Sequence, residues 1–340
     1  MTAMASREAI EVGIVGCSGI AQIVHLPILA QLDGTSVTAV CDIDIAKAET
    51  VAERFQIAAA YSSIEELLEH PDLDSVIVCT PNHVHAEHTE LALQAGLHVL
   101  CERPLATSRE QAARTLDCAR QAGRILMVEN SHRFRPDAWA LRRSISNGEL
   151  GQVFHMHASW QRRRARRPRI SEWRLSREYG GGVLMDLGVT NLDFCLWLLG
   201  YPAPERLTAY LPDRDGDGVE DTAVVLMRLE RDVTCSIEVT WDLAAVEDQH
   251  SFVALGAAGF GSLYPFVIQR VTPGGVLDMT PRLAPGSENI YRASYRREFS
   301  YFISVVQGER EEPLPEEQEV LLSIVEACYR SAEEDREILL

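Results

Sequence analysis

The feature that most constrains this chain is a short apolar run, Ile10 to Val15, which ends in Gly16-Cys17-Ser18-Gly19-Ile20-Ala21 and passes into a helical pattern from about Ile20. The same alternation continues for the first third of the sequence. Ser36 to Cys41 leads to a helix over Ala46 to Phe55, Asp74 to Cys79 to one near Ala86 to Ala95, and Leu97 to Cys101 to one over Arg109 to Ala122, before a last run at Arg124 to Val128. Continuous apolar runs separated by helices predict parallel strands with crossover helices, an α/β doubly wound sheet.

The glycine motif sits between the first strand and its helix, where backbone N–H groups at a helix N-terminus would meet a dinucleotide pyrophosphate. Gly16, Ser18, Gly19 and Ile20 are the expected cofactor contacts, with Ser18 standing where the usual spacing has a second glycine. Asp42, after the second strand, is placed to accept hydrogen bonds from the adenosine ribose, and no basic residue immediately adjoins it. That favours NAD over NADP. Alternatively, Asp42 or Asp44 caps the following helix.

A chain of 340 residues with 46% hydrophobic content exceeds one ordinary core, so two domains are expected. Residues 1–130 read as a Rossmann NAD(P)-binding domain and residues 131–340 as an α+β domain, to which the family resemblance set out below gives substrate binding and oligomerisation. The second part offers a long strand, Val153 to Trp160, a helix from Val183 to Leu199, and a hairpin of Val224 to Arg228 with Thr234 to Thr240. Helical patterns return near Arg296 to Val306 and Glu316 to Ser331. A large, mostly antiparallel open sheet with covering helices is predicted.

A net charge of -18 argues against nucleic acid or an anionic membrane as partner and for a small molecule. No apolar run approaches the roughly 20 residues of a membrane span, Met1 to Glu11 lacks signal-peptide features, and a cytoplasmic protein is expected. The eight cysteines show none of the close pairs of zinc or redox sites and read as buried small hydrophobes. No metal site is expected. Asp213, Asp215 and Asp217 before Gly218 imitate a calcium loop, but the last ligand position holds Val224.

Three further segments give the pattern its specificity. Thr80-Pro81-Asn82-His83-Val84-His85 follows one strand and Cys101-Glu102-Arg103-Pro104-Leu105 ends the next, while Gly180-Gly181-Gly182-Val183-Leu184-Met185-Asp186-Leu187-Gly188 enters a later helix. Together these resemble the signatures of the Gfo/Idh/MocA family, which includes inositol dehydrogenase and glucose-fructose oxidoreductase. The resemblance implies that Thr80, Asn82, His85, Glu102 and Arg103 lie at the nicotinamide end, and that Trp173, Arg174, Asp186 and Thr190 line a substrate pocket. It also implies a homodimer or homotetramer associating through the open sheet face.

Two departures fall on the chemistry. Where the family usually has a lysine the chain has Arg103, and where it usually has a histidine four residues after the pocket aspartate it has Thr190. Arginine keeps its proton to above roughly pH 12, and threonine does not titrate near neutrality. The chain has a single lysine, Lys47, against 31 arginines, so no other lysine could serve. Asp186 becomes the first acid-base or orienting candidate, with Asp193 two turns along from it, Arg103 a group that could polarise a carbonyl or orient a carboxylate, and Tyr179 and His132 reserves. Arg162, Arg163, Arg164, Arg166, Arg167 and Arg169 read either as capture of an anionic substrate or as an exposed loop paired with acids or with another subunit. The leading expectation is an NAD(P)-dependent oxidoreductase of sugars, cyclitols or related polar substrates. The alternatives are a cofactor-retaining enzyme of other chemistry, including imine reduction, and an inactive binding or regulatory homologue.

Overall fold

The computed structural model describes residues 9–164, 170–214, 216, 218–283 and 288–340. Arg166, Arg167, Arg169, Asp215 and Asp217 of the segments singled out above lie outside the described residues. The chain divides into two compact units, Met1–Ser131 with Glu288–Gln318, and His132–Ser287 with Glu319–Leu340.

The first unit is built on β1 (Ile10–Val15), β2 (Thr35–Cys41), β3 (Ala59–Tyr61), β4 (Ser75–Val78), β5 (His98–Cys101) and β6 (Leu126–Val128). They form one sheet in the order β3-β2-β1-β4-β5-β6, parallel throughout. This is the doubly wound order in which the strand sequence reverses beside β1. Ile14, Val40, Ile77 and Leu100 are almost wholly buried, as expected of strands covered on both faces.

The crossover helices are α1 (Leu26–Leu29), α2 (Ile45–Phe55), α3 (Ile64–Leu68), α4 (His85–Gln94) and α5 (Arg109–Ala122). Local chemistry sets their ends. Asp44 accepts from Lys47 N at 3.2 Å to start α2, and Ser108 accepts from Gln111 N at 3.2 Å to start α5, which stops at Gly123 in the left-handed region. The sheet region is completed by a helix from far along the sequence, which buries Tyr295, Phe299 and Phe302 within the same unit.

In the second unit, α6 (Pro136–Ser146) and α7 (Val189–Leu199) accompany β7 (Val153–Arg163), β8 (Pro204–Tyr210), β9 (Thr222–Leu229), β10 (Val233–Leu243), β11 (Gln249–Gly256), β12 (Gly259–Leu263), β13 (Phe266–Thr272), β14 (Gly275–Asp278) and β15 (Ile338–Leu339). The late helix of the first unit is α8 (Ile290–Val306), and α9 (Glu317–Glu334) follows it. The nine strands run β14-β13-β12-β11-β7-β10-β9-β8-β15, antiparallel except for the β7 and β10 pair. β9, and β10 as far as Trp241, alternate between buried and accessible residues, so one face carries the core and the other, with Tyr210, Val224 and Leu226, is exposed. The core includes Met156, Leu192, Phe194, Ile237 and Trp241.

One expectation is corrected here. Arg177–Leu199 is a helical stretch long and apolar enough to cross a bilayer, although no run of that kind was anticipated. Its apolarity has another cause, since 89% of the apolar window is buried inside the protein as the central helix of the second unit.

Phe299 is fully buried, and Phe299→Ala should destabilise the first unit by about 3–5 kcal/mol, seen as a lower urea midpoint. An unchanged midpoint would remove α8 from that core.

Candidate active site

Because the six strands of the first unit are parallel, their carboxyl ends share one edge, where doubly wound sheets bind ligands. That edge carries Gly16 after β1, Asp42 after β2, Thr80 and Asn82 after β4, Glu102 and Arg103 after β5, and Glu129 after β6.

The loop after β1 requires its first glycine. Gly16 has φ 93, and a Cβ there would lie 2.9 Å from Thr80 Cγ2 and 3.0 Å from the Cys79 carbonyl. A Cβ on Gly19 would meet nothing within 4 Å, so the backbone there faces open space. Ser18 Oγ is buried without a hydrogen-bond partner among the described residues, which leaves a donor and acceptor for a ligand oxygen. Ile20 begins the turn into Ala21–His25, a π-helical turn that runs on into α1. These features fit a dinucleotide pyrophosphate.

Asp42 corrects a second expectation. Its Oδ2 accepts from Cys17 N at 2.9 Å, fastening the glycine loop, and also from Lys47 Nζ at 2.7 Å. A basic residue therefore does adjoin this carboxylate. The cause is α2, whose first turn brings the long lysine side chain back onto the end of β2. The capping role belongs to Asp44.

At the other end of the edge, His85 is buried with Nδ1 2.7 Å from Pro104 O and Nε2 2.7 Å from Thr80 O, tying the turns after β4 and β5 together. Thr80 Oγ1 also meets His88 Nδ1 at 3.1 Å, and Asn82 is buried at the start of the following turn. Glu102 is paired with His25 at 2.9 Å. Burial penalises the Glu102 carboxylate, but the hydrogen bond and charge of His25 outweigh it and lower its pKa. Arg103 lies 3.2 Å from Glu129 and 3.6 Å from Glu102. Burial works against its charge, yet Glu129 and the other acidic neighbours raise its pKa above the ordinary arginine value. It is a fixed cation.

In the second unit, Asp186 sits in another π-helical turn, Leu184–Gly188, at the head of α7. Such turns recur at functional sites. Its approach is shaped by the glycine run: a Cβ on Gly181 would fall 2.3 Å from Arg174 O, and one on Gly182 2.2 Å from Glu220 Oε1. Asp186 Oδ2 accepts from Arg162 Nη1 at 2.9 Å and Trp241 Nε1 at 3.1 Å, and Oδ1 from Arg174 Nε at 3.3 Å. Arg174 lies over the Trp173 ring at 4.1 Å. Thr190, one turn further, is buried.

Of the reserves, His132 packs against the rings of Trp160 and Phe194, and Tyr179 is 42% exposed in a short turn before the glycines. Asp193, two turns along from Asp186, is held by Arg133 and Tyr201. Of the described arginines in the basic cluster, Arg162 faces Asp186, Arg163 meets Asp248 and Arg164 meets Asp242. Each therefore has an acidic partner. His25, Glu129, Glu298 and Trp241 were not marked by sequence; a lone Glu in an apolar stretch gives no sign of the partner that the fold supplies. Among the described residues no group of three or more His, Cys, Asp or Glu is placed to hold a metal ion.

Fold and glycine loop together define a dinucleotide-binding oxidoreductase scaffold carrying a second, sheet-based unit. The oxidoreductase family with an NAD-binding Rossmann fold, GFO/IDH/MocA, matches residues 10–130, and its C-terminal domain matches residues 138–260. D-glucoside 3-dehydrogenase of Escherichia coli (strain K12) is 29% identical over 98% of both chains. D-xylose 1-dehydrogenase (NADP(+)) 2 of Haloferax volcanii is 28% identical over 94% of this chain and 97% of its own. Levoglucosan dehydrogenase, solved with NADH and L-sorbose, shares the fold with a TM-score of 0.88 and 19% identity, over 98% of this chain and 99% of that one. The chain belongs to the Gfo/Idh/MocA family of NAD(P)-dependent oxidoreductases.

NAD(H) should bind more tightly than NADP(H), because Asp42 repels a 2′-phosphate. Lys47 weakens that repulsion, so Lys47→Ala should widen the preference by about two- to fivefold in parallel titrations. A wild-type preference for NADP would contradict the role given to Asp42.

Proposed function

We propose that this protein is an NAD-dependent dehydrogenase of a sugar, cyclitol or related polar alcohol or carbonyl compound, with acid-base chemistry that departs from its relatives. The observation that carries the reading is the end-to-end match to a D-glucoside 3-dehydrogenase in a chain that keeps the glycine loop and Asp186. Gly16, Ser18, Gly19 and Ile20 hold the pyrophosphate, Asp42 the ribose, and Thr80, Asn82, His85, Glu102 and Arg103 the nicotinamide end. The cofactor, when bound, supplies or accepts the hydride.

The chain's own residues then divide the remaining work. Arg103 cannot shuttle a proton, but its fixed charge stabilises negative charge developing on a substrate oxygen. Asp186 takes the proton or orients the hydroxyl that loses it, with Arg162, Arg174 and Trp241 holding its carboxylate in place. Trp173, Arg174 and Thr190 contribute to substrate binding, and Tyr179 is the remaining catalytic candidate. Arg162 and Arg174 suit a substrate that is polar or carries a negative group.

A second reading has one observation behind it. The Asp186 oxygens already face three donors, which suits a reaction needing little proton transfer, such as reduction of a cationic imine. Asp186→Asn separates the two: for alcohol oxidation, turnover should fall by about tenfold or more with little change in NAD binding. Unchanged turnover would favour the second reading.

We also assign the protein to the cytoplasm as a homodimer or homotetramer. All eight cysteines are unpaired, in keeping with a reducing compartment. The exposed side chains of Tyr210, Val224 and Leu226 on the open face of the second unit form an apolar patch suited to self-association. Leu226→Arg should shift the mass measured by light scattering toward the monomer; a wild-type monomer would refute the assignment.

A further inference from the structure

The first unit collects more buried acid than its cations balance. His25 of the first π turn, Glu102 and Arg103 after β5, Glu129 after β6, and Glu298, Tyr295 and Tyr291 of α8 face one another at the carboxyl edge of the sheet. His25 pairs with Glu102 at 2.9 Å and Arg103 with Glu129 at 3.2 Å. Glu298 is left over. It is fully buried, its Oε1 accepts from Asn130 N at 2.6 Å, and its Oε2 has no hydrogen-bond partner among the described residues.

The cation that acts on Glu298 is Arg103, whose guanidinium already faces Glu129 and Glu102. His85 directs both ring nitrogens at carbonyl oxygens. Burial pushes the thiol of Cys101 up to about 12 and raises those of Cys79 and the Tyr295 hydroxyl well above their ordinary values, so these groups stay neutral. A buried carboxylate with no counter-ion of its own is disfavoured strongly enough that such a group keeps its proton. Burial first, and the Glu129 charge second, raise the pKa of Glu298 well above the carboxylate range, and burial also raises that of Glu129.

We propose that Glu129 and Glu298 share one exchangeable proton, released to the medium when a cationic oxidised nicotinamide ring is seated at these strand ends and regained when the ring is neutral. This rests on the cofactor assignment made above. The exchange is balanced: a carboxyl O–H bond breaks, the carboxylate stays, and the proton passes to buffer, with the reverse on reduction. Oxidation of an alcohol liberates one proton, and the pair takes one up as the ring loses its charge. Arg103 remains the fixed charge between the acids, in place of a lysine that would itself titrate.

The test is a proton inventory on the full chain. NAD+ and NADH are titrated calorimetrically in buffers of different ionisation enthalpy at neutral pH. NAD+ binding should release about one proton, so its affinity should rise by up to about tenfold per pH unit, while NADH binding releases none and its affinity stays flat. Glu298→Gln should bind NAD+ without proton release. Infrared absorption of the wild type gives an answer independent of that variant: an un-ionised carboxyl band should shrink on adding NAD+ and persist with NADH. Equal proton release by both cofactors, undiminished release in Glu298→Gln, or an infrared band that ignores NAD+ would each overturn the proposal. Failure of both cofactors to bind would overturn the cofactor assignment, and this inference with it.

Discussion

Charge buried at the carboxyl ends of β5 and β6 is the constraint on which the first unit depends. Breaking a buried pair by removing one partner costs about 3–5 kcal/mol, so Arg103 and Glu129 are mutually required, and His25 lies 2.9 Å from Glu102 beside them. The same cluster explains why a helix distant in sequence belongs to this unit. Asn130 N and Glu298 Oε1, 168 residues apart, are joined by a hydrogen bond that fixes α8 to the end of β6. Tyr295 and Phe299 then close over His25, with ring centroids 5.8 and 5.1 Å away. Sheet, π turn and late helix are thus held by one set of contacts at the edge where ligands bind.

With acids on both sides, Arg103 is locked as a cation. In the second unit the opposite sign prevails. Asp186 is an anion ringed by two guanidinium groups and an indole N–H, in a π turn whose glycine approach admits no side chain. The first unit therefore presents a fixed positive charge and the second a carboxylate held by donors, while neither Arg103 nor Thr190 is a residue that shuttles protons.

The doubly wound sheet was legible because strands buried on both faces must be apolar throughout, and because Gly16 stands where nothing larger fits against Thr80 and Cys79. The β9 and β10 hairpin was legible from alternation alone. The return of residues 288–318 to the first unit was not, since helical periodicity over Arg296 to Val306 says which face is apolar but not against what it packs. Glu129 and Glu298 look like ordinary surface glutamates until their burial is known. Lys47 was noticed for being alone, but its reach to Asp42 depends on where α2 begins. The arginine cluster read slightly better as a paired loop than as ligand capture, and Arg162, Arg163 and Arg164 have acidic partners that lie 24 to 85 residues away.

The account turns on Arg103 being a cation that never gives up its proton during turnover. The most direct measurement is the pH dependence of NAD-linked oxidation rate in the wild type and in Arg103→Lys, on any polyol that the wild type accepts. A lysine held in this cluster titrates where arginine does not, so the variant should gain a limb in its pH profile that the wild type lacks, with NAD affinity retained. Superimposable profiles at comparable rates would contradict the account, because they would mean that the residue at this position takes no part in setting the charge at the reacting centre.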